Sequence, residues 1–341
     1  MVNCNSGKVC EGTELGLSMG LTSVKKDIYD MGIVAAMSSE VSLVIDRLSG
    51  LEEEEIQGIK FYSGIMKPVR ISKQSVNMSS SYKRVVVGLS GPGKVNAALC
   101  TYIMLTHFNP KFIFNYGVVG AIASGIDVFD VVVANRVVQA DIDTTAVGDP
   151  VGLVSRLNVV HFNSDSVLTS VVKDLVSNLP SLDDANIERR LELRNSSGVF
   201  NIFNGQKVYV DASSDSLVDD RPLKVLDYKK PGNLFFGDVA TTDSFVASDS
   251  KKAEILNNFP DTLVCDMELG AIAQTCYAFN MPFVSVKLIS DNANSSANVS
   301  YEEVLKYASS IGLFIVESLL FNADFVDLLN IENSGCINIK H

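Results

Sequence analysis

The chain has 341 residues, of which 47% are hydrophobic and 20% are charged, so a folded core should form without disulfides or metal ions. A net charge of −12 disfavours nucleic acid as a partner, because binding phosphate backbones requires clustered Lys and Arg. The six cysteines and three histidines do not follow metal-site spacing. We therefore expect no metal and no cofactor, and any catalysis must depend on carboxylates.

Residues 1–30 are predicted to form an N-terminal extension. Charged side chains surround a short apolar run at residues 15–21, which is too short for a signal peptide or a membrane span. No later stretch approaches the roughly eighteen uninterrupted apolar residues that a span requires. We therefore expect a soluble cytoplasmic protein that has no membrane partner.

Two strand–helix units are predicted next. Residues 31–37 are apolar throughout and predict a buried strand, followed by Ser38 and Ser39 as candidate caps of an amphipathic helix. Residues 84–89 predict a second strand, and a glycine-rich turn leads from it into another helix. The inner face of this helix is predicted to consist of Val95, Ala98, Leu99 and Tyr102. Both units thus place a strand directly before a helix.

The remaining elements continue this alternation. Strands are predicted at residues 112–116 and 131–134, separated by a loop that contains Gly117, Gly120 and Gly125. A strand, a helix, a further strand and a long helix follow at residues 262–265, 268–279, 282–289 and about 301–320. Apolar strands alternating with helices predict an α/β fold with a mixed, mostly parallel central sheet flanked by helices on both faces.

One domain is predicted from residue 31 to residue 325, and a tail at residues 326–341 follows it. The stretch at about 179–230 is rich in Ser, Asn and Asp and breaks the alternation, so we interpret it as an irregular insertion. Residues 71–82 are interpreted as a smaller insertion. Neither stretch is expected to add a core of its own.

Two glycine-rich segments invite nucleotide-binding interpretations. Residues 88–94 match Gly-x-x-x-x-Gly-Lys between a strand and a helix, but Val95 replaces the Ser or Thr that would bind Mg²⁺. A structural turn, or a ligand loop that uses backbone N–H groups and the Ser90 hydroxyl, is therefore favoured over ATP or GTP binding. Residues 117–121 lack the third glycine and the later acidic residue of a dinucleotide loop.

Three acidic residues follow predicted strands, where the sites of α/β folds gather. They are Glu40, Glu268 and Asp291. Taken singly, Glu40 and Glu268 are equally typical of helix starts, and Asp291 of a helix start or turn. Their number and placement leave both a structural and a catalytic interpretation open.

Five segments, in this order and spacing, resemble the methylthioadenosine/S-adenosylhomocysteine nucleosidase family of the nucleoside phosphorylase fold. They are residues 32–41 (GIVAAMSSEV), 90–98 (SGPGKVNAA), 265–273 (CDMELGAIA) and 286–291 (VKLISD), with a looser match at 141–148 (DIDTTAVG). The resemblance extends from about residue 31 to residue 320, apart from the insertion. It implies a single nucleoside phosphorylase-like domain.

The resemblance implies hydrolysis of the N-glycosidic bond of 5'-methylthioadenosine or S-adenosylhomocysteine. Asp291 matches the acid that protonates N7 of the departing adenine, and Glu40 matches the residue that activates the attacking water. Glu268 would bind the ribose hydroxyls, and Phe245 would stack on adenine. The remaining residues implied to line the substrate site are Met37, Ser90, Gly91, Val246, Met267, Lys287, Ser290 and Tyr301.

The resemblance also implies a homodimer, whose second subunit helps to close the 5' end of the substrate site. Lys287 stands where bacterial members commonly have Arg, so its contacts to the water and to Glu40 would be less rigid. A phosphorylase of this fold typically has an Arg after the first strand, whereas Glu40 would repel phosphate there. Phosphorolysis and a non-catalytic nucleoside-binding or storage role are the alternative functions.

Overall fold

A computed structural model describes residues 28–67, 82–177, 199–203, 206–210, 232–291 and 301–321, with residues 199–203 and 206–210 described as backbone only. The predicted tail, most of both predicted insertions and residues 1–27 of the predicted extension lie outside the described residues. The extent of the predicted domain therefore stays a prediction.

Twelve strands and six α-helices occur in the described part of the chain. The strands are β1 (Met31–Ala35), β2 (Ser49–Ile56), β3 (Ile59–Met66), β4 (Lys83–Leu89), β5 (Ile113–Ala121), β6 (Val131–Gln139), β7 (His161–Asn163), β8 (Val199–Phe203), β9 (Gln206–Val210), β10 (Leu234–Thr241), β11 (Thr262–Asp266) and β12 (Phe283–Asp291). The helices are α1 (Ser38–Arg47), α2 (Lys94–Ile103), α3 (Ser166–Ser177), α4 (Asp249–Asn258), α5 (Leu269–Ala278) and α6 (Tyr301–Phe321).

The main sheet has ten strands in the order β11-β10-β6-β12-β5-β1-β4-β3-β2, with β7 beside β6. Strands β4, β1, β5 and β12 are mutually parallel, as are β6, β10 and β11, and the antiparallel pair β12–β6 joins the two groups. An additional antiparallel pairing of β11 with β5 closes five of these strands into a ring. The mixed central sheet predicted from the sequence is therefore confirmed.

Helices cover both faces of the sheet, as predicted. Side chains of β1 alternate between the faces, so Ile33 packs with α1, α3 and α6, whereas Val34 packs with α2 and α5. Both side chains are fully buried. Because each face has its own helical layer, the strands are apolar on both sides, which is why they read as continuous hydrophobic runs.

The edge of the sheet is a β2–β3 hairpin that the hydrophobic pattern did not predict. Its two-residue turn consists of Gln57 and Gly58, both with positive φ, which suits the twist of a tight hairpin. The outer strand β2 exposes four consecutive glutamates at residues 52–55. Charged side chains on an edge strand oppose pairing with another sheet edge.

Three local predictions were wrong. Met37 is the N-cap of α1, so Ser38 and Ser39 lie in the first turn of the helix and do not cap it. Gly117 and Gly120 lie within β5 and not in a loop, because β5 continues beyond the predicted apolar run to pair with β12 and β11. The conformation of β5 matters for the site described below.

The predicted inner face of α2 was also wrong. Val95 is 70% exposed, and Leu99 and Tyr102 are half exposed. The residues of α2 that are buried are Ala97, Cys100, Thr101 and Ile103. Small side chains on this buried face let α2 pack closely against α5 and the sheet, which leaves the larger apolar side chains of α2 uncovered within the described chain.

Helix α6 is the one described helix that is long and apolar enough to cross a membrane. Most of its apolar stretch is buried in the core. Val304, Ile311, Ile315 and Leu319 pack into the layer that it shares with α1 and α3. Its hydrophobicity therefore has a structural explanation within the fold, which core helices commonly provide.

Candidate active site

Glu40 is a buried carboxylate in the first turn of α1, immediately beyond the C-terminal end of β1. It is 3% exposed, and its two oxygens accept hydrogen bonds from the backbone N–H groups of Met37 at 2.9 Å and Val118 at 3.0 Å. Burial raises the pKa of the Glu40 carboxyl above its ordinary value, although the two N–H groups partly oppose this effect. Glu40 is thus fixed in place and poised to accept a proton.

Two glycines of β5 provide space for two carboxylates. A Cβ atom at Gly117 would lie 2.6 Å from Oε1 of Glu40, and one at Gly120 would lie 3.3 Å from Oδ1 of Asp291. The glycines are three residues apart, which corresponds to about 10 Å along a strand. The C-terminal half of β5 therefore separates and positions the two carboxylates.

Asp291 ends β12 and lies opposite Gly120 in the sheet register. The hydroxyl of Ser290 donates a hydrogen bond to Oδ1 of Asp291 at 3.0 Å and also approaches the carbonyl of Val119 at 3.3 Å. Both Ser290 and Asp291 are partly buried. Asp291 is accordingly held at the C-terminal end of the central strand β12, where it remains partly exposed.

Glu268 precedes α5 and contacts the glycine-rich turn after β4. Its Oε1 accepts the N–H of Gly93 at 3.0 Å, and its Oε2 accepts the N–H of Met267 at 3.3 Å. In the same turn, the buried hydroxyl of Ser90 donates to the carbonyl of Gly91 at 2.8 Å, and Gly91 has a φ of +73°. Burial and, secondly, the nearby Asp266 raise the pKa of Glu268 to about 7.

Lys287 is the buried cation of the site. It is 2% exposed, and its Nζ lies 2.7 Å from Oδ2 of Asp266 at the end of β11. Asp266 also accepts hydrogen bonds from the hydroxyl of Thr241 and the N–H of Leu269. Burial by itself lowers the pKa of Lys287, but Asp266 and Glu268 outweigh burial and raise this pKa above its ordinary value. Lys287 therefore remains charged.

Tyr301 begins α6 and is half exposed. Burial is the largest cause of a raised pKa at its hydroxyl, and the carboxylates of Glu40, Asp291 and Glu268 raise that pKa further. A single hydroxyl can be influenced by three carboxylates only if they lie near it. Four of the predicted site residues, drawn from α1, β11–α5, β12 and α6, thus converge on one region.

The glycine-rich turn uses its donors on the chain's own carboxylates. Nζ of Lys94 lies 2.6 Å from Oδ1 of Asp141 and 3.8 Å from Oδ2 of Asp243. The backbone N–H of Lys94 donates to Asp243 at 2.9 Å, as that of Gly93 does to Glu268. A phosphate at this helix start would meet carboxylates, which disfavours the ATP or GTP interpretation.

Residues 242–246 follow β10 and lie beside the end of β11. The N–H of Thr242 donates to the carbonyl of Asp266, which attaches the segment to the end of β11. Phe245 is 73% exposed, and Val246 packs against a small cluster that includes Ile255. The aromatic ring of Phe245 is therefore free of the core, whereas its neighbour anchors the segment.

Sequence reasoning did not anticipate the ion pairs of the site. Asp266 lies in the segment of residues 265–273, and an acidic residue that ends a buried strand indicates a partner that the sequence alone does not identify. Asp141 and Asp243 likewise follow strand ends, and their contact with Lys94 depends on tertiary structure. The backbone N–H groups that donate to Glu40 are placed there by the fold, and no side-chain pattern in the sequence predicts them.

Metal-binding side chains do not cluster in the described ranges, where no group of three or more His, Cys, Asp or Glu could hold a metal ion. His107 lies 3.4 Å from Glu54 at the sheet edge, and the ring of His161 packs against Phe259. Burial raises the pKa of the Cys100 thiol to about 12, which makes it unreactive. In the described part of this site, Glu40, Glu268 and Asp291 supply carboxylates for proton transfer.

Comparison with known proteins places this architecture in a family. Residues 30–311 match the family model described as Phosphorylase superfamily. The 5'-methylthioadenosine/S-adenosylhomocysteine nucleosidase of Staphylococcus haemolyticus is 30% identical over 290 residues, which cover 85% of this chain and 98% of that protein. The chain belongs to this nucleosidase family within the phosphorylase superfamily.

Further nucleosidases agree in sequence and in structure. The nucleosidase of an Exiguobacterium species is 32% identical over 279 residues, covering 82% of this chain and 92% of that protein. The solved nucleosidase from S. pneumoniae with the transition-state inhibitor MT-ImmA has a TM-score of 0.59 and 27% identity, covering 85% and 99%. The predicted nucleosidase family and its fold are confirmed.

Proposed function

We propose that this chain is a purine nucleosidase that hydrolyses the N-glycosidic bond of 5'-methylthioadenosine, S-adenosylhomocysteine or both, and so releases adenine. The relatives from S. haemolyticus and Exiguobacterium are 5'-methylthioadenosine/S-adenosylhomocysteine nucleosidases. The solved S. pneumoniae relative binds a transition-state inhibitor. Such an activity would serve methionine salvage in the cytoplasm.

The observation that carries the proposal is the placement of Glu40 and Asp291 beside Gly117 and Gly120 of β5. One carboxylate is buried and accepts two backbone N–H groups, and the other is accessible at the end of β12. Hydrolysis of a nucleoside needs a base for water on one side of the sugar and an acid for the purine on the other. The two carboxylates supply this pair.

The proposed reaction proceeds by proton transfers at both ends. Asp291 donates its proton to N7 of adenine while the bond between N9 and the ribosyl carbon breaks, because an adenine anion is a poor leaving group. Glu40 accepts a proton from the water that forms the new bond to the same carbon. Glu268 accepts hydrogen bonds from the ribose hydroxyls, and Phe245 stacks on the departing base.

The charges around the site favour water over phosphate as the acceptor. Glu40, Asp266 and Glu268 lie around the buried cation Lys287, which is already paired with Asp266. A phosphate dianion would be repelled by this arrangement. Hydrolysis is therefore favoured over phosphorolysis, and the presence of both catalytic carboxylates opposes a purely non-catalytic binding role.

The test is incubation with 5'-methylthioadenosine in phosphate-free buffer, followed by chromatography of the products. We expect adenine and free methylthioribose, and no effect of added phosphate on the rate. A strict requirement for phosphate, with a sugar phosphate as product, would establish phosphorolysis instead. Tight adenosine-analogue binding without base release would establish the non-catalytic role. Comparing S-adenosylhomocysteine, adenosine and inosine defines the substrate range.

We further propose that the protein is a homodimer that associates through an exposed apolar patch on α2 and the C-terminal end of α5. The patch consists of Val95, Leu99, Tyr102, Tyr277 and Phe279. The rings of Tyr102 and Phe279 lie 5.8 Å apart in an edge-to-face arrangement, so the two helices present one continuous surface. Clustered exposed apolar side chains are typical of protein interfaces.

Sedimentation velocity tests the patch. We expect the unmodified protein to sediment as a dimer and Leu99→Lys to sediment as a monomer. Leu51→Lys is the matched control, because Leu51 is a similarly exposed leucine on the distant strand β2. A monomeric unmodified protein would contradict the dimer, and a dimeric Leu99→Lys variant would contradict this choice of surface.

A further inference from the structure

Lys94 joins three loops at the edge of the site. Its side chain is largely buried, and its Nζ lies 2.6 Å from Oδ1 of Asp141 in the loop after β6. Its backbone N–H donates to Oδ1 of Asp243 in the loop after β10, and the N–H of Asp243 donates to Oδ2 of Asp141 at 2.8 Å. Lys94, Asp141 and Asp243 thus form a closed set of contacts.

The neighbouring residue extends these contacts to the ribose side of the site. Gly93 has a φ of +100°, a conformation that suits glycine, and its N–H donates to Oε1 of Glu268. Consecutive N–H groups at the start of α2 therefore point at two different carboxylates. One of them belongs to Glu268, and the other belongs to Asp243, two residues before Phe245.

We propose that Lys94 is a positioning residue for substrate binding, which holds residues 242–246 at a fixed place relative to Glu268. The inference rests on the proposed function, in which Phe245 contacts adenine and Glu268 contacts ribose. Lys94 itself touches neither reacting atom. It acts through Asp243, whose loop contains residues 242–246. It also acts through the preceding Gly93, whose N–H donates to Glu268.

The positive charge of Lys94 is essential to this arrangement. Nζ of Lys94 lies 2.6 Å from Oδ1 of Asp141 and 3.8 Å from Oδ2 of Asp243, so both carboxylates lie near one cation and would repel each other without it. The side chain of Asp243 is 54% exposed, and Phe245 has little packing of its own. Without the ammonium group, Asp243 would turn to solvent and the segment would loosen.

The experiment compares Lys94→Met with Lys94→Arg and with the control Lys111→Met. Lys111 forms a similar, partly buried ion pair with Asp30, 2.8 Å long, at the N-terminal ends of β1 and β5. We measure KM and kcat for 5'-methylthioadenosine, and hydrogen exchange of residues 242–246 without substrate.

In Lys94→Met we expect KM to rise about tenfold or more while kcat changes less than about threefold, because binding geometry and not the chemical step is affected. Exchange at residues 242–246 should accelerate. Lys94→Arg should have a KM close to that of the unmodified protein, since it restores the charge. Lys111→Met should match the unmodified protein in both KM and exchange.

Unchanged KM and unchanged exchange in Lys94→Met would overturn the inference, as would an equal rise of KM in Lys111→Met. If Lys94→Met does not fold, Asp243→Ala removes the exposed partner instead, and an unchanged KM there would also overturn it. Absence of adenine release by the unmodified protein would refute the proposed function, while the exchange measurement would still decide the role of Lys94.

Discussion

Nζ of Lys287 lies 2.7 Å from Oδ2 of Asp266, and both side chains are almost completely buried. The pair joins the end of β11 to β12, the strand that carries Asp291. Lys287 also balances the carboxylate of Glu268. This ion pair therefore holds the end of β11 to β12 and also offsets the negative charge of the carboxylates in the site.

Removing the cation should be costly. Lys287→Met leaves Asp266 buried without a counter-charge, so we expect the free energy of unfolding to fall by about 3–5 kcal/mol. Urea unfolding followed by circular dichroism measures the change. In Lys251→Met, which removes an exposed pair with Glu254, the loss should stay below about 1 kcal/mol. Equal losses in the two variants would contradict a special role for the buried pair.

The two glycines of β5 predict graded effects of alanine. Gly117→Ala would place Cβ 2.6 Å from Glu40, which must move, so we expect kcat to fall about 100-fold in a folded protein. Gly120→Ala would leave 3.3 Å to Asp291, which requires a shift of only tenths of an ångström, so the loss should stay within about tenfold. Steady-state kinetics shows which variant loses more kcat. A larger loss in Gly120→Ala than in Gly117→Ala would contradict this geometry.

Glu268 predicts a pH dependence of kcat/KM. Burial raises its pKa to about 7, so it is protonated below that pH and accepts ribose hydrogen bonds fully only above it. We expect kcat/KM for 5'-methylthioadenosine to rise with pH through about 7. The profile of Glu268→Gln should have lower activity and lack this rise. Persistence of the same rise in Glu268→Gln would assign it to another group.

The same shift has a consequence for stability. A carboxyl group with a raised pKa in the folded state favours folding when protonated, and this contribution is lost as pH rises from its ordinary value through about 7. We therefore expect the free energy of unfolding to decrease over that interval, and to decrease less in Glu268→Gln. Denaturant unfolding at several pH values tests this, and identical pH profiles would contradict it.

The sequence predicted the positions of most central strands along the chain, because strands that are covered on both faces form mainly apolar runs. Strand β1 and helix α1 illustrate this, although β1 ends at Ala35 and not at residue 37, and Met37 is the N-cap in place of Ser38 or Ser39. The β2–β3 hairpin was not predicted, because its outer strand β2 contains four consecutive glutamates at residues 52–55 and therefore shows no alternation of apolar and polar residues. Edge strands exposed on both sides carry little hydrophobic signal.

The site was predictable only where motifs carried it. Glu40, Glu268 and Asp291 stand in recognisable segments, whereas the pairing of Lys287 with Asp266 depends on two strands meeting in space. The face of α2 was mispredicted for a related reason. Hydrophobic spacing identified Leu99 and Tyr102 as an apolar face, but spacing does not tell whether the same chain or a second subunit covers that face.

The most direct test of the account is adenine release by Asp291→Asn. Asparagine preserves the size of the side chain and can still accept from Ser290, but it has no carboxyl proton to donate to N7. We expect kcat for 5'-methylthioadenosine to fall by about 10²–10⁴-fold, with an unchanged circular dichroism spectrum and with Asp249→Asn as active as the unmodified protein. Near-normal turnover by a folded Asp291→Asn protein would contradict the assignment of Asp291 as the acid.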